Sequence, residues 1–121
     1  MSQVNAPKEL IWIGSSRKDM MDLPRAVQRA LGYGLYLAQL GDKSPDAKPL
    51  KGFHGAGTLE ILEDYRGDTY RAVYTVQFAK TIYVLHVFQK KAKRGIKTPK
   101  GVLNLIRDRL KQAELHFAGN K

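Results

Sequence analysis

The chain contains no cysteine, which excludes disulfides and thiolate metal sites. Its three histidines, His54, His86 and His116, stand far apart and match no zinc spacing. No metal and no cofactor is therefore expected. No apolar run approaches the ~18 residues needed to cross a bilayer, so no membrane association is expected. The first residues, Met1-Ser-Gln-Val-Asn-Ala-Pro-Lys-Glu9, have no apolar stretch of the kind an export signal requires. A cytoplasmic protein is the expectation. There is no internal repeat and no low-complexity tract. Acidic residues are scarce: 11 Asp and Glu stand against 21 Lys and Arg, a net charge of +10. An excess of that size favours nucleic acid or an acidic protein as partner and says nothing about fold.

What is present fits one domain over residues 1–121, with 1–8 a loose lead-in. Leu10-Ile-Trp-Ile13 is a short apolar run ended by Gly14-Ser-Ser16 and reads as a strand. Ser16 is placed to cap a short helix over residues 17–23. Pro24 suits the first turn of a longer helix, where its missing N–H costs nothing. Val27, Leu31 and Leu35, with Ala30 and Ala38, give that helix one apolar face, and Gly41 is placed to end it. Residues 42–57 are polar and rich in Gly and Pro, and read as a long loop. Three strands follow, over 58–63, 69–78 and 81–89, joined by a turn at 64–68 and a tight connection at Ala79-Lys80. Thr98-Pro99 opens a last helix whose stripe is Leu103, Ile106, Leu110, Ala113 and Phe117. The expected architecture is α+β: a mostly antiparallel sheet of about four strands, two N-terminal helices and one C-terminal helix. The helices are expected on one face of the sheet, leaving the other face or its edge available.

Strand alternation sorts the side chains. Tyr70, Ala72, Tyr74 and Val76 share one face, and Arg71, Val73, Thr75 and Gln77 the other. In the last strand, Tyr83, Leu85, Val87 and Gln89 oppose Ile82, Val84, His86, Phe88 and Lys90. Arg71 and Glu60 are thus charged residues inside otherwise apolar strands. They could be a cross-strand pair worth ~0.2–1 kcal/mol. Alternatively they converge with Lys90 and Lys51 in one open groove, where cleavage by 2′-OH attack would find its parts. Glu60 would be the base, Arg71 a bidentate phosphate clamp, and Lys90 or Lys91 a charge neutraliser or acid. His86 lies mid-strand among apolar residues and reads first as a structural histidine. His54 reads as a loop residue. Trp12 reads as core, and the tyrosines of the strands as core or cross-strand partners. Between Lys90 and Lys100 the chain carries Lys90, Lys91, Lys93, Arg94, Lys97 and Lys100 without one acidic residue. Such a cationic cluster at a strand end suits a polyanion, RNA first, or is simply a solvated loop.

The segments Lys48-Pro-Leu-Lys-Gly-Phe53, Gly57-Thr-Leu-Glu-Ile61, Tyr70-Arg-Ala-Val-Tyr-Thr-Val76, Tyr83-Val-Leu-His-Val-Phe-Gln-Lys-Lys91 and Thr98-Pro99 stand in an order that resembles the RelE/HigB-like toxins of type II toxin–antitoxin systems. The resemblance covers about residues 9–117 and is strongest to the phage-derived Gp49-like branch. It implies a small RelE-like fold and a ribosome-dependent mRNA endoribonuclease that inhibits translation. It implies Arg71, Lys90 and Glu60 as catalytic residues and, by a looser match, Lys51 as an RNA-binding one; Arg66, Lys91, Lys93 and Arg94 are expected to bind RNA as well, the last three as part of the basic run. The implied partners are the ribosome with its message and a cognate antitoxin, a helix-turn-helix protein from the adjacent gene. One departure stands out: residues 92–117 contain no tyrosine to match the one that assists cleavage in some RelE-like members. The alternatives are a ParE-like gyrase-inhibiting toxin and a basic nucleic-acid-binding protein without catalysis. Under the nuclease reading, Arg71→Ala is expected to abolish cleavage with little loss of folding stability.

Overall fold

Apolar residues alternate along three segments of the chain and recur every three or four residues along two others. The computed structural model, which describes residues 6–53, 55, 57–90 and 99–120, shows what these patterns build. The elements run β1 (Glu9–Trp12), α1 (Ser16–Met21), α2 (Arg25–Gln39), β2 (Ala47–Pro49), β3 (Thr58–Tyr65), β4 (Asp68–Thr75), β5 (Thr81–Lys90) and α3 (Lys100–Gly119). The strands form one sheet in the order β1-β5-β4-β3-β2. Among the described residues, β1 with β5 is the only parallel pair. The fold class is the expected α+β, with one strand more than expected. That strand, β2, lies in the stretch expected to be loop. It is a three-residue edge strand ending at Pro49, a residue that cannot extend a ladder.

The β3–β4 turn is a two-residue hairpin loop. Arg66 and Gly67 both have positive φ, +50° and +85°, the mirror-image turn whose twist matches the strands it joins.

The helices do not share one face, as the sequence led us to expect. Val27, Leu31, Leu35 and Ala38 of α2 pack on Leu59, Ile61, Ala72, Tyr74, Val84 and Val87. Ile106 and Ala113 of α3, with Leu103, Leu110 and Phe117 beside them, pack on Ile13, Val73, Tyr83 and Leu85 on the opposite face. Each fully buried Leu, Ile or Val among them contributes about 1.5–3 kcal/mol relative to its exposure to water. Gly34 lets α2 sit close to the sheet, since a Cβ there would lie 2.8 Å from Ile61 Cδ1. Both apolar stripes fall on the residues the periodicity named. Periodicity gives a helix a buried side but not a choice between the two faces of a sheet.

β5 departs from strict alternation. Val73 pairs with His86 but Tyr74 pairs with Val84, so Leu85 is an extra residue, a β-bulge. The bulge reverses the facing of everything after it. Tyr83 and Leu85 face α3, and so do His86 and Phe88, while Val87 turns toward α2. Arg109 of α3 reads this irregularity. Its Nη1 donates to the Leu85 carbonyl at 3.0 Å and to His86 Nδ1 at 3.2 Å, and its Nη2 donates to Ser15 Oγ at 3.1 Å. Ser15 Oγ donates onward to Asp19 Oδ2 at 2.7 Å. Gly14, at φ +58°, leaves room for this guanidinium, which a Cβ there would meet at 2.8 Å.

Candidate functional site

α3 covers the β1 and β5 side of its sheet face. Toward the β3–β4 hairpin the same face carries charge. Glu60 on β3 stands diagonally across from Arg71 on β4, because Glu60 pairs with Val73 and Leu62 with Arg71. Arg71 Nη1 donates to Glu60 Oε1 at 2.5 Å, with the two side chains only 11% and 5% exposed. Lys90, at the end of β5, pairs with Thr69 and is itself buried. Lys48, directly opposite Glu60 on the edge strand β2, is exposed to solvent. Three cations and one carboxylate thus converge, sheltered on the sheet side and reaching water at Lys48.

Lys90 reports this environment. Burial lowers its pKa from the usual lysine value. The Arg71 guanidinium and the Lys48 ammonium lower it further, and the Glu60 carboxylate opposes them. The sign has two consequences. Between the lowered value and the ordinary one near 10.5, the unfolded chain holds the proton and the folded chain does not, so stability rises with pH in that window. In a protein carrying 13C-labelled lysine, the Lys90 Cε shift is expected to titrate below the exposed lysines. Glu60→Gln should lower that midpoint further and Lys48→Met should raise it. A Lys90 midpoint among those of the surface lysines would refute the arrangement.

Beside Arg71 on the same face lie Phe88, its direct partner on β5, and His86. Their rings stack at 4.6 Å between centroids and 16° between planes. A guanidinium only donates, so the contact from Arg109 makes His86 Nδ1 an acceptor and places the ring proton on Nε2. Burial and the Arg109 charge hold its pKa at about 4, against a smaller opposing pull from Asp19. His86 is therefore a neutral imidazole at pH 7.

Of the residues expected at a site, the structure brings Glu60, Arg71 and Lys90 together. Lys51 lies in the turn after β2, past Leu50, whose amide bonds the Thr58 carbonyl at the far end of β3 from the hairpin. Arg66 sits at the hairpin tip with its guanidinium 5.2 Å from the Tyr65 ring centroid. Lys91, Lys93, Arg94, the Thr98 cap and His54 fall outside the described residues. Sequence reasoning did not place Lys48 or Arg109. Lys48 becomes visible only with the β2–β3 register, and Arg109 only with the bulge. Among the described residues, no group of three or more His, Asp or Glu side chains could hold a metal ion. No helix among them is long and apolar enough to cross a membrane.

The model of the family described as "Phage derived protein Gp49-like (DUF891)" matches residues 18–111, well over half of the chain. No curated protein sequence matches significantly. Among solved structures, the chain is similar to a doubly substituted variant of the Escherichia coli toxin RelE in the free state. The two share 19% identity over 88% of this chain and 98% of that one, with a TM-score of 0.53. It is also similar to a chain of the RelBE2 toxin–antitoxin complex of Mycobacterium tuberculosis. There the identity is 23% over 71% of this chain and 94% of that one, with a TM-score of 0.48. The sheet order, the helix on each face and the matched span lead to one conclusion: this chain belongs to the phage-derived Gp49-like family and has the fold of RelE.

Proposed function

We propose that this protein is the toxin of a type II toxin–antitoxin system and that it cuts messenger RNA on the ribosome. The observation that carries the reading is the convergence of Arg71, Lys90, Lys48 and Glu60 on the sheet face beside α3. The RelE fold and the net charge of +10 support it. Fold likeness alone would be only an analogy.

The chemistry follows from the cluster. A phosphate of the message competes with Glu60 for the Arg71 guanidinium, a fork that matches two phosphate oxygens. The carboxylate so released takes the proton of the 2′-OH, whose oxygen attacks the adjacent phosphorus. Arg71 and Lys90 then face the negative charge that builds on the pentavalent phosphorus. Lys90, with its lowered pKa, gives its proton to the leaving 5′-oxygen. The products are a 2′,3′-cyclic phosphate and a free 5′-hydroxyl. A message already held by the ribosome is oriented before it meets these groups, and orientation supplies much of such a barrier. The missing tyrosine after Lys90 is tolerable on that account.

A second reading has its own observation. Glu60 and Lys90 are only 4% and 8% exposed, as expected if the cluster served only to tie β3, β4 and β5 together in a nucleic-acid-binding protein without catalysis. One experiment separates the two. Purified protein is added to a translation extract with a reporter message, and new 5′ ends are mapped by primer extension, with and without ribosomes. The toxin reading expects cuts inside the reading frame only when ribosomes are translating. An intact message with undiminished translation would overturn it and favour the binder, or a gyrase-directed toxin of the ParE type.

A further inference from the structure

The outer face of α2 has a composition that packing on the sheet does not explain. At 3.6 residues per turn, Val27, Leu31, Gly34, Leu35 and Ala38 make the buried side. Arg25, Arg29, Gly32, Tyr33, Tyr36 and Leu40 fall within an arc of about 100° on the opposite side. Tyr33, Tyr36 and Leu40 are 63%, 47% and 44% exposed. Arg25 and Arg29 are exposed as well, and α2 carries no carboxylate. The stripe is therefore apolar and aromatic at its C-terminal half and purely cationic at its N-terminal half.

Gly32 is the sharper signal. Glycine weakens a helix interior relative to alanine, and a Cβ at this position would meet nothing within 4 Å. Gly34, two residues on, is different: its lack of a side chain is required by Ile61. The packing among the described residues gives Gly32 no reason to be bare. A bare, half-buried backbone position at the edge of that stripe, between Arg29 and Tyr36, suits the close approach of another backbone.

We propose that this face of α2 is the docking surface for an acidic amphipathic helix of a separate protein. The apolar side of that helix lies over Tyr33, Tyr36 and Leu40, its backbone comes close at Gly32, and its carboxylates meet Arg25 and Arg29. A second copy of this chain does not fit, because its α2 offers no carboxylate to meet Arg25 and Arg29 and it carries the same net charge of +10. RNA would use the arginines and stack on the tyrosines, but has no use for an exposed Leu40 at the end of the stripe. The inference rests on the toxin–antitoxin reading for the source of the helix, the protein encoded beside this one.

The test uses that neighbouring gene product and the full chain. Dissociation constants are measured by calorimetry for the unaltered protein and for Gly32→Leu, Tyr36→Ala and Arg29→Glu, with message cleavage assayed in parallel. Each variant is expected to bind at least tenfold more weakly while cutting message as before. Gly32→Leu should also melt no lower than the unaltered chain, since its side chain enters open space. Equal affinity across the set would overturn the docking surface and leave the toxin reading standing. Cleavage without any complex would overturn the surface too, for want of its partner. Loss of both cleavage and complex would overturn the surface together with the function. Variants that lost affinity for an RNA oligonucleotide but not for the neighbouring protein would assign the stripe to RNA and refute the proposal.

Discussion

Arg71→Ala is expected to abolish message cleavage and also to destabilise the protein by about 3–5 kcal/mol, the cost of breaking a buried ion pair from one side. The second half reverses what the sequence led us to expect. A surface arginine would be cheap to remove, but Arg71 and Glu60 are almost wholly enclosed. Truncating the guanidinium leaves the Glu60 carboxylate between β2 and β4 without its partner, deep in the sheet. Lys90 remains beside it and softens the loss, so the lower end of that range is the better expectation. The two effects are separable by a second variant. Glu60→Gln with Arg71→Met removes both charges and keeps the volume, and replacing a whole buried pair is close to neutral. The double variant should recover most of the lost stability in urea unfolding and none of the cleavage. Full cleavage by Arg71→Ala would end the assignment of Arg71 as the phosphate clamp. A double variant no more stable than the single one would show that the ion pair is not what held the sheet there.

The legible and illegible parts of this molecule divide along physical lines. The stripe from Leu103 to Phe117 and the face of Val27, Leu31 and Leu35 were readable because a helix repeats its buried side every 3.6 residues. Glu60 and Arg71 stood out as charges within apolar strands, and the pairing weighed for them is the contact the structure contains. The bulge at Leu85 was not readable, since a single inserted residue leaves no mark on composition, and it alone decides that His86, Phe88 and Lys90 share the face of Arg71. β2 was hidden by its own shortness and by Pro49, both of which speak for a loop. With β2 went Lys48, whose position opposite Glu60 is a matter of register. The sequence points instead to Lys51, three residues later, because local sequence shows that a basic residue precedes the strands but not which one faces inward.

Arg109→Met is expected to cost about 3 kcal/mol and to change how stability depends on pH. The guanidinium joins three parts of the chain distant in sequence: the loop before α1 through Ser15, the bulge through the Leu85 carbonyl, and His86. Methionine preserves most of the stem's packing but donates nothing. The Leu85 carbonyl at the bulge loses a bond from a charged donor, and such bonds contribute about 1.5–3 kcal/mol, so the upper part of that range is the expectation. At the midpoint of a thermal melt this is a drop of roughly 10 °C for a domain of this size. Amide exchange should quicken first in α3, which loses its anchor to the sheet. The pH effect has a definite sign. His86 titrates at about 4 when folded and near 6.5 when unfolded. As pH falls from 6.5 toward 4 the unfolded chain takes the proton and the folded chain does not, so stability present above pH 6.5 is lost over that window. Removing Arg109 removes one cause of the low value and leaves burial as the other. The His86 midpoint, read from its ring resonances, should rise toward 6.5 without reaching it. The acid loss of stability in Arg109→Met should therefore be shallower than in the unaltered protein, although the protein starts from a lower value. His86→Phe should flatten that loss further while keeping the stack on Phe88. An unchanged melting temperature together with an unmoved His86 midpoint would mean that the guanidinium does not bridge α3 to the bulge.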